Sequence, residues 1–494
     1  MFFQTERENY RRSLRMITSI YKKTNRVNWV NTDTWYWINV NMSQKVFGIG
    51  NNVFETHDTE FDLFSKPVLN SDSYSWNDYI FKPKNPIQNT DHNPVTFEIG
   101  GDDCRNYTLL PSIRVDGQVK VVHSDNTDLD PDEEVSVSNI FPHALFQSID
   151  IKINNTPVSD HARLYPHRAY IHALYSYSKE VKDITQLAEC YFEDSDRVDE
   201  VVDVGKKGFI ERKNLIKESR TCYISFVPKI DTLSITRYFP PGHTISFEFI
   251  RSPSHFALQA PDLQKSYKIQ LIDLTLRCRQ LLPTENIETR MRKLLSVKDI
   301  HLPVTRLVAR SRSLHAGLYD GTISNAISGK TPNHMMVFFL KNSQINGDLT
   351  ADPFFFGRHD LREACVVING QSFPSEKLRF NEVTGDYFNS YNFFMENIGC
   401  SGDVSNGIKP SSYMKDCFSL AFDLTPDTCL NNHLHSHTDS TIDIKLVFEK
   451  PLPTPITVLY ISTYDNIISL SPDKSVSIDY TVWFCNCYEE IILP

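Results

Sequence analysis

The chain carries one passage twice, in the same order, about two hundred residues apart. Residues 145–159 read LFQSIDIKINNTPVS and residues 361–374 read LREACVVINGQSFP, so Ile151, Ile153, Asn154 and Asn155 correspond to Val366, Ile368, Asn369 and Gly370. Each passage reads as strand, tight turn, strand. Asn-Asn and Asn-Gly both tolerate the positive φ of a two-residue hairpin turn, and alternating apolar residues before them suit a half-buried strand. A second pair follows in the same order: Thr244, Ile245, Phe247, Phe249 and then Pro253, against Thr441, Ile442, Ile444, Leu446 and then Pro451. Before each stands an apolar stretch ending in Pro, ISFVP at 224–228 and LAFDLTP at 420–426. The offset falls from about 215 to about 197 residues along the chain, as expected of two copies of one β domain of which the first carries an insertion.

At 494 residues the chain exceeds what a single core sustains, and the repeat places two domains. Aromatic residues make up 12%, with 31 Phe and 22 Tyr, which supplies large β-favouring side chains for sandwich cores. The longest apolar runs, MMVFFL at 335–340 and ITVLYI at 456–461, have strand length, well below the roughly 18 residues of a spanning helix. Charges in MFFQTEREN stand where a secretory signal needs apolar residues, so no secretion is expected. The ten cysteines are scattered without CxxC pairs and read as reduced thiols of an intracellular chain. A net charge of -10 argues against a surface that coats nucleic acid. The exception is the basic segment of Arg7, Arg11, Arg12, Arg15, Lys22, Lys23 and Arg26, an arm suited to nucleic acid or a membrane surface, against the plainer reading of a disordered leader.

The expected organisation is a basic N-terminal extension (1–53), a first β domain (54–282), a helical linker (283–298), a second β domain (299–484) and a tail (485–494). A helical pattern over 165–190 supplies the insertion, and Thr284 is the expected N-cap of a linker helix at 285–295. Each half shows about eight short strands and no βαβ alternation, which makes the expected fold all-β, a double jelly roll of two eight-stranded antiparallel sandwiches with short helical insertions.

Motifs for chemistry are weak. SGKT at 328–331 lacks the first glycine of a phosphate loop, which would stand where Ser324 is. His433, His435 and His437 would share one face of a strand as a candidate metal site, against the plainer reading of a polar loop. Asp102-Asp103 and Glu193-Asp194 read as solvated loop, and Cys485 and Cys487 form no signature. No catalytic residue, cofactor site or metal site is assigned.

Several passages resemble the double jelly-roll major capsid proteins of polinton (Maverick) elements and adintoviruses. They are the 145–159 hairpin, YPHRAYIHALYSYSKEVKD at 165–183, SFEFIRSPSHFAL at 246–258, DPFFFGRHDLREACVVINGQSFPSE at 352–376, FDLTPD at 422–427 and LVFEKPLPTPITVLYISTYDNII at 446–468. EFDLFSKP at 60–67 is similar to that family's acidic, Phe-bearing start, so the likeness spans about residues 54–482. FDLTPD with the downstream EKPLP and YDN is the specific part. Residues 1–53 have no counterpart, and Asn154-Asn155 stands where Asn-Gly or Asp-Gly is usual. The resemblance implies a non-catalytic capsid protein, encoded by a virus or an integrated virus-like transposon, whose homotrimers form pseudo-hexagonal capsomers of an icosahedral lattice. It implies a penton or minor capsid partner, nucleic acid or membrane contact through the basic arm, no small-molecule substrate, and residence in the virion after assembly in the nucleus or cytoplasm of a eukaryotic host. The loops 124–133 and 191–204 would face outward and the arm inward. The alternative is a carbohydrate-binding or cupin-like sandwich, which would need His and Glu ligands grouped on inner strands.

Overall fold

The computed structural model describes residues 73–479 apart from 89–92, 102–104, 161–162, 195–198, 200, 263, 401–404, 429–433 and 436–437. The first half supplies β1 (Ser73–Phe81), β2 (Val95–Gly100), β3 (Tyr107–His123), β4 (Ser136–Val137), β5 (Phe146–Ile153), β6 (Thr156–Pro157), β7 (Cys222–Phe226), β8 (Thr244–Arg251), β9 (Leu258–Gln259) and β10 (Tyr267–Pro283). The second supplies β11 (Ile300–Leu314), β12 (Asp320–Lys330), β13 (His334–Lys341), β14 (Leu361–Ile368), β15 (Gln371–Arg379), β16 (Leu420–Asp423), β17 (Asp439–Phe448), β18 (Ile456–Leu470) and β19 (Val476–Asp479).

Sheet orders are β1-β10-β3-β7 and β2-β8-β5-β6 in the first half, and β11-β18-β13-β16 and β12-β17-β14-β15 in the second. With the small β4-β9 pair and the added β19 set aside, each half is a jelly roll in which the first strand pairs the eighth and the second pairs the seventh. The fold is a double jelly roll.

The repeated words are the repeated geometry. Ile151 faces Phe247 and Ile153 faces Ile245 in the first roll, while Val366 faces Ile444 and Ile368 faces Ile442 in the second. Asn154 and Asn155 have φ of 47° and 67°, and Asn369 and Gly370 have 49° and 87°. The Asn154 N–H donates to the Thr244 carbonyl at 2.9 Å while its side-chain oxygen accepts from the Thr244 N–H at 2.9 Å. Asn369 does the same to Thr441, at 3.0 and 2.9 Å. An asparagine is needed here because it combines a left-handed backbone with a short acceptor. Alternation in β8 and β17 then buries Ile245, Phe247 and Phe249, and Ile442, Ile444 and Leu446.

Besides the two-residue strands β4 and β9, three strands escaped the sequence reading. β1, β11 and β12 are edge strands with weak alternation, and β11 is interrupted by Pro303. The 165–190 pattern resolves into helices Tyr165–Ser176 and Lys179–Ile184 and a 3₁₀ turn Gln186–Glu189. The insertion also holds the helix Lys207–Ile216, and the second roll carries Tyr387–Asn397 and Pro410–Lys415 at the same point between its fifth and sixth strands. The linker helix Glu285–Leu295 is present, but the Thr284 side chain makes no capping bond.

Candidate functional site

The passages singled out in the sequence meet at a joint between the rolls. The helix Tyr165–Ser176 buries one face against the second roll, because Tyr170, Ala173, Leu174 and His167 follow helical spacing. Tyr170 stacks on Phe354 with ring centroids 4.6 Å apart, His167 stands edge-on to Phe354 at 5.8 Å, and Tyr175 meets Phe338 and Phe394. The Tyr175 hydroxyl donates to the Cys417 carbonyl at 2.9 Å and accepts from Ser419 Oγ at 3.0 Å. Lys182 Nζ crosses the joint to the Asn406 carbonyl at 2.8 Å, and burial pulls its pKa down to about 8. Apolar burial from both rolls is continuous here, so the rolls share one core.

A second part of the joint protects a sheet edge. β11 is the outer strand of its sheet, and its exposed N–H row needs acceptors. Asp231 accepts from the Leu307 N–H at 2.7 Å and Asp160 from the Ala309 N–H at 2.9 Å. Both carboxylates come from the first roll, where Arg168 pairs with Asp231; Arg310 pairs with Asp160 at 3.1 Å.

Both rolls point the same way. At one end the long connections gather: Ser124 N–H donates to Ser266 O at 3.1 Å, Ala260 N–H to Leu349 O at 2.7 Å and Val202 N–H to Thr350 O at 2.9 Å. At the other end lie the Asn hairpins, where Asn154 Nδ2 donates to Lys474 O at 2.9 Å. β1 begins at this hairpin end, since Ser73 faces Pro283, the last residue of β10. The acidic loop that follows Ser124 and the stretch around Val202 belong to the crowded end; residues 195–198 and 200 lie outside the described residues.

The chemical candidates separate clearly. Ser328, Gly329 and Lys330 are the end of β12, paired with Thr441, Ser440 and Asp439, so SGKT is a strand end and not a phosphate loop. His435 is in a loop, buried between Asp427, 2.9 Å from Nε2, and Asp465, 3.2 Å from Nδ1. Burial opposes its charge, but the two carboxylates outweigh burial and hold its pKa above the ordinary value. Asp465 also accepts from Asn333 Nδ2 at 2.8 Å. FDLTPD and YDN thus meet in one clamp, a role the sequence did not disclose. His433 and His437 lie outside the described residues, and among those described no group of His, Cys, Asp and Glu fits a metal ion. Asp194 is not solvated as expected. It is buried in an ion pair with Arg212 at 2.8 Å, whose Nε also donates to Val137 O; Glu193 pairs with Lys179 at the surface. Asp102, Asp103, Cys485, Cys487 and the basic arm fall outside the described residues.

One constellation went unnoticed in the sequence because its members are far apart. His143 Nδ1 is 2.8 Å from the Tyr165 hydroxyl and its Nε2 is 3.3 Å from Glu189, which also meets Lys229 at 3.5 Å. Burial works against the Glu189 charge, but His143 and Lys229 outweigh it and hold the carboxyl at about 2. These groups satisfy one another inside the core. A nearby cleft, lined by Tyr165, Arg168, Asp160 and Ser148, has room for about one water, not a substrate.

No protein-family profile matches the chain. A sequence relative, an uncharacterized protein of Caenorhabditis elegans, is 20% identical over 352 residues, covering 70% of this chain and 82% of its own. Among solved structures, a chain of the Sputnik virophage determined by cryo-EM aligns with a TM-score of 0.55 at 12% identity, over 90% of this chain and 97% of that one. PBCV-1 VP54 aligns at 0.54 and 9% identity, over 85% and 99%. A chain of the PBCV-1 virus capsid aligns at 0.53 and 8% identity, over 85% and 99%. At such identities the likeness is one of fold, spread over both rolls.

Proposed function

We propose that this chain is a major capsid protein, a structural and non-catalytic subunit whose trimers form pseudo-hexagonal capsomers of an icosahedral shell. The observation that carries the reading is that one chain holds two rolls of the same strand order and hairpin register, pointing the same way and fixed by a shared aromatic core. Three such chains around a threefold axis present six near-equivalent towers, the shape that tiles a hexagonal lattice. The fold shared with chains of the Sputnik virophage and the PBCV-1 capsid supports the same role.

The functional division is 54–282 and 299–484 as the two towers, with 283–298 as linker. The crowded, acidic end is the outer surface and the hairpin end the inner one, and the basic arm serves inward contact with genome or membrane. The gene belongs to a virus or an integrated virus-like transposon, the particle is the protein's final location, and a penton or minor capsid protein closes the vertices. Light scattering in line with size exclusion tests the trimer. The expected species has about three times the 57.0 kDa chain mass, and a monomer at all concentrations overturns the reading. Deleting residues 1–50 tests the arm, which has no such role if assembly and nucleic acid retention are unchanged.

A further inference from the structure

The helix that joins the two rolls has an apolar face with no place in the shared core. Ile287, Met291, Leu294 and Leu295 follow the spacing of one helical stripe, yet the helix Glu285–Leu295 buries none of its residues. None of the four belongs to the core or to the side chains packed on it. Leu294 is 40% exposed and Val297, just beyond the helix, 77%. The charges are sorted by position. Glu285 and Glu288 stand in the first turn, whereas the stretch 289–298, TRMRKLLSVK, carries Arg290, Arg292, Lys293 and Lys298 and no acid, in a chain of net charge -10. Arg292 pairs with Glu288, and Arg290, Lys293 and Lys298 have no carboxylate partner among the described residues. The helix runs from Pro283, which ends β10, to Ile300, which begins β11 and faces Leu470 beside the turn that accepts from Asn154, so it lies at the hairpin end. Arg237 and Tyr238 are at the same end, where Arg237 donates to the His301 carbonyl at 2.6 Å and Tyr238 is 45% exposed.

We infer that the linker helix is a membrane-surface element, which lays Ile287, Met291, Leu294 and Leu295 into the interface of an anionic lipid bilayer with Arg290, Arg292, Lys293 and Lys298 on its headgroups. An amphipathic helix with cations beside its apolar stripe lies in the plane of a bilayer. At 11 residues it is far too short to cross one. Charge complementarity selects anionic lipid, since each Lys or Arg near such a surface strengthens binding about fivefold. The apolar stripe selects lipid over nucleic acid, whose phosphates reward cations alone. An isolated helix of this length is marginal in water, so a surface that receives the stripe also stabilises the helix. The inference stands apart from the capsomer reading and does not involve the basic arm, because it assigns membrane contact to residues of the described fold.

The test mixes the full chain with sedimenting vesicles, of phosphatidylcholine alone or of phosphatidylcholine and phosphatidylserine in equal parts. The wild type is expected to pellet with the mixed vesicles, and amides 287–295, fast in the free chain, to slow on binding. Arg290→Gln combined with Lys293→Gln is expected to weaken that partition by about 25-fold, about fivefold for each cation. Leu294→Gln combined with Val297→Gln is expected to weaken it by about 100-fold. All four positions are exposed, so circular dichroism and thermal midpoint are expected to stay those of the wild type. If both variants pellet like the wild type and amides 287–295 stay fast, another part of the chain holds the lipid and the inference falls, while the capsomer reading, tested by mass, stands. Slow exchange at 287–295 before vesicles are added also overturns it, since a segment of the same chain then covers the stripe. Binding to duplex DNA that the charge variant weakens and the apolar variant does not, with no protection of 287–295 by vesicles, overturns it in favour of nucleic acid.

Discussion

At the scale of single residues, two histidines respond to pH with opposite sign. His167 is buried among Phe256 and Phe354, and burial pulls its pKa from 6.5 to about 4. The unfolded chain therefore takes up a proton that the folded joint refuses, so stability falls as pH drops from about 6.5 to about 4. His167→Phe is expected to flatten that part of a plot of melting temperature against pH; an unchanged slope would show that other groups govern it. His435 is shifted up by Asp427 and Asp465, so the stability it confers is complete below its unfolded pKa of 6.5 and is lost as pH rises through the higher folded value. Its loss is local, and the protection of the 438–442 amides, exchange corrected for its intrinsic base catalysis, should fall toward alkaline pH in the wild type and lose that fall in His435→Gln. The hairpin asparagines make a sharper case. Asn369→Ala removes the acceptor of the Thr441 N–H and leaves a left-handed position to a residue that dislikes it, an expected loss of about 2 kcal/mol in chemical denaturation.

Among elements, the helix Tyr165–Ser176 and strand β11 decide whether the protein is two domains or one body. Phe354→Ala empties the space between Tyr170, His167 and Phe256 and is expected to cost about 3–5 kcal/mol. Because the core is shared, the loss should appear in a single unfolding transition seen by probes in both rolls; two separated transitions in the wild type would refute the shared core. Asp231→Ala leaves the Leu307 N–H without its acceptor and Arg168 without its carboxylate, and removal of one partner from such a buried pair costs about 3–5 kcal/mol. The two rolls need these elements because their sheets would otherwise meet along an open edge and a few loops.

For the whole molecule, the alignment of the two crowded ends matters more than any one contact. Long connections can grow at that end without disturbing the register of the strands, since the hairpin end fixes register through Asn154 and Asn369. The shrinking offset of the repeat records this growth. The insertion between the fifth and sixth strands is larger in the first roll than in the second, and in both it carries the helices.

What the sequence by itself determined was whatever depends on neighbours along the chain. The Asn-Asn and Asn-Gly turns, the alternation of Ile245, Phe247 and Phe249, and the recurrence of both two hundred residues later specify the hairpins, the buried faces and the duplication, because turn chemistry and a period of two act over a few residues. What depends on distant partners was decided only in three dimensions. β1 and β11 carry little alternation because an edge strand is half open, and β11 is held by carboxylates from residues 160 and 231 that no local pattern connects to it. Asp194 reads as a surface residue until Arg212 arrives from a helix, and the FDLTPD and YDN passages show their purpose only where Asp427 and Asp465 close on His435. A charge is tolerated in a core only beside its counter-charge, so where such residues lie follows from the tertiary structure and not from their own sequence.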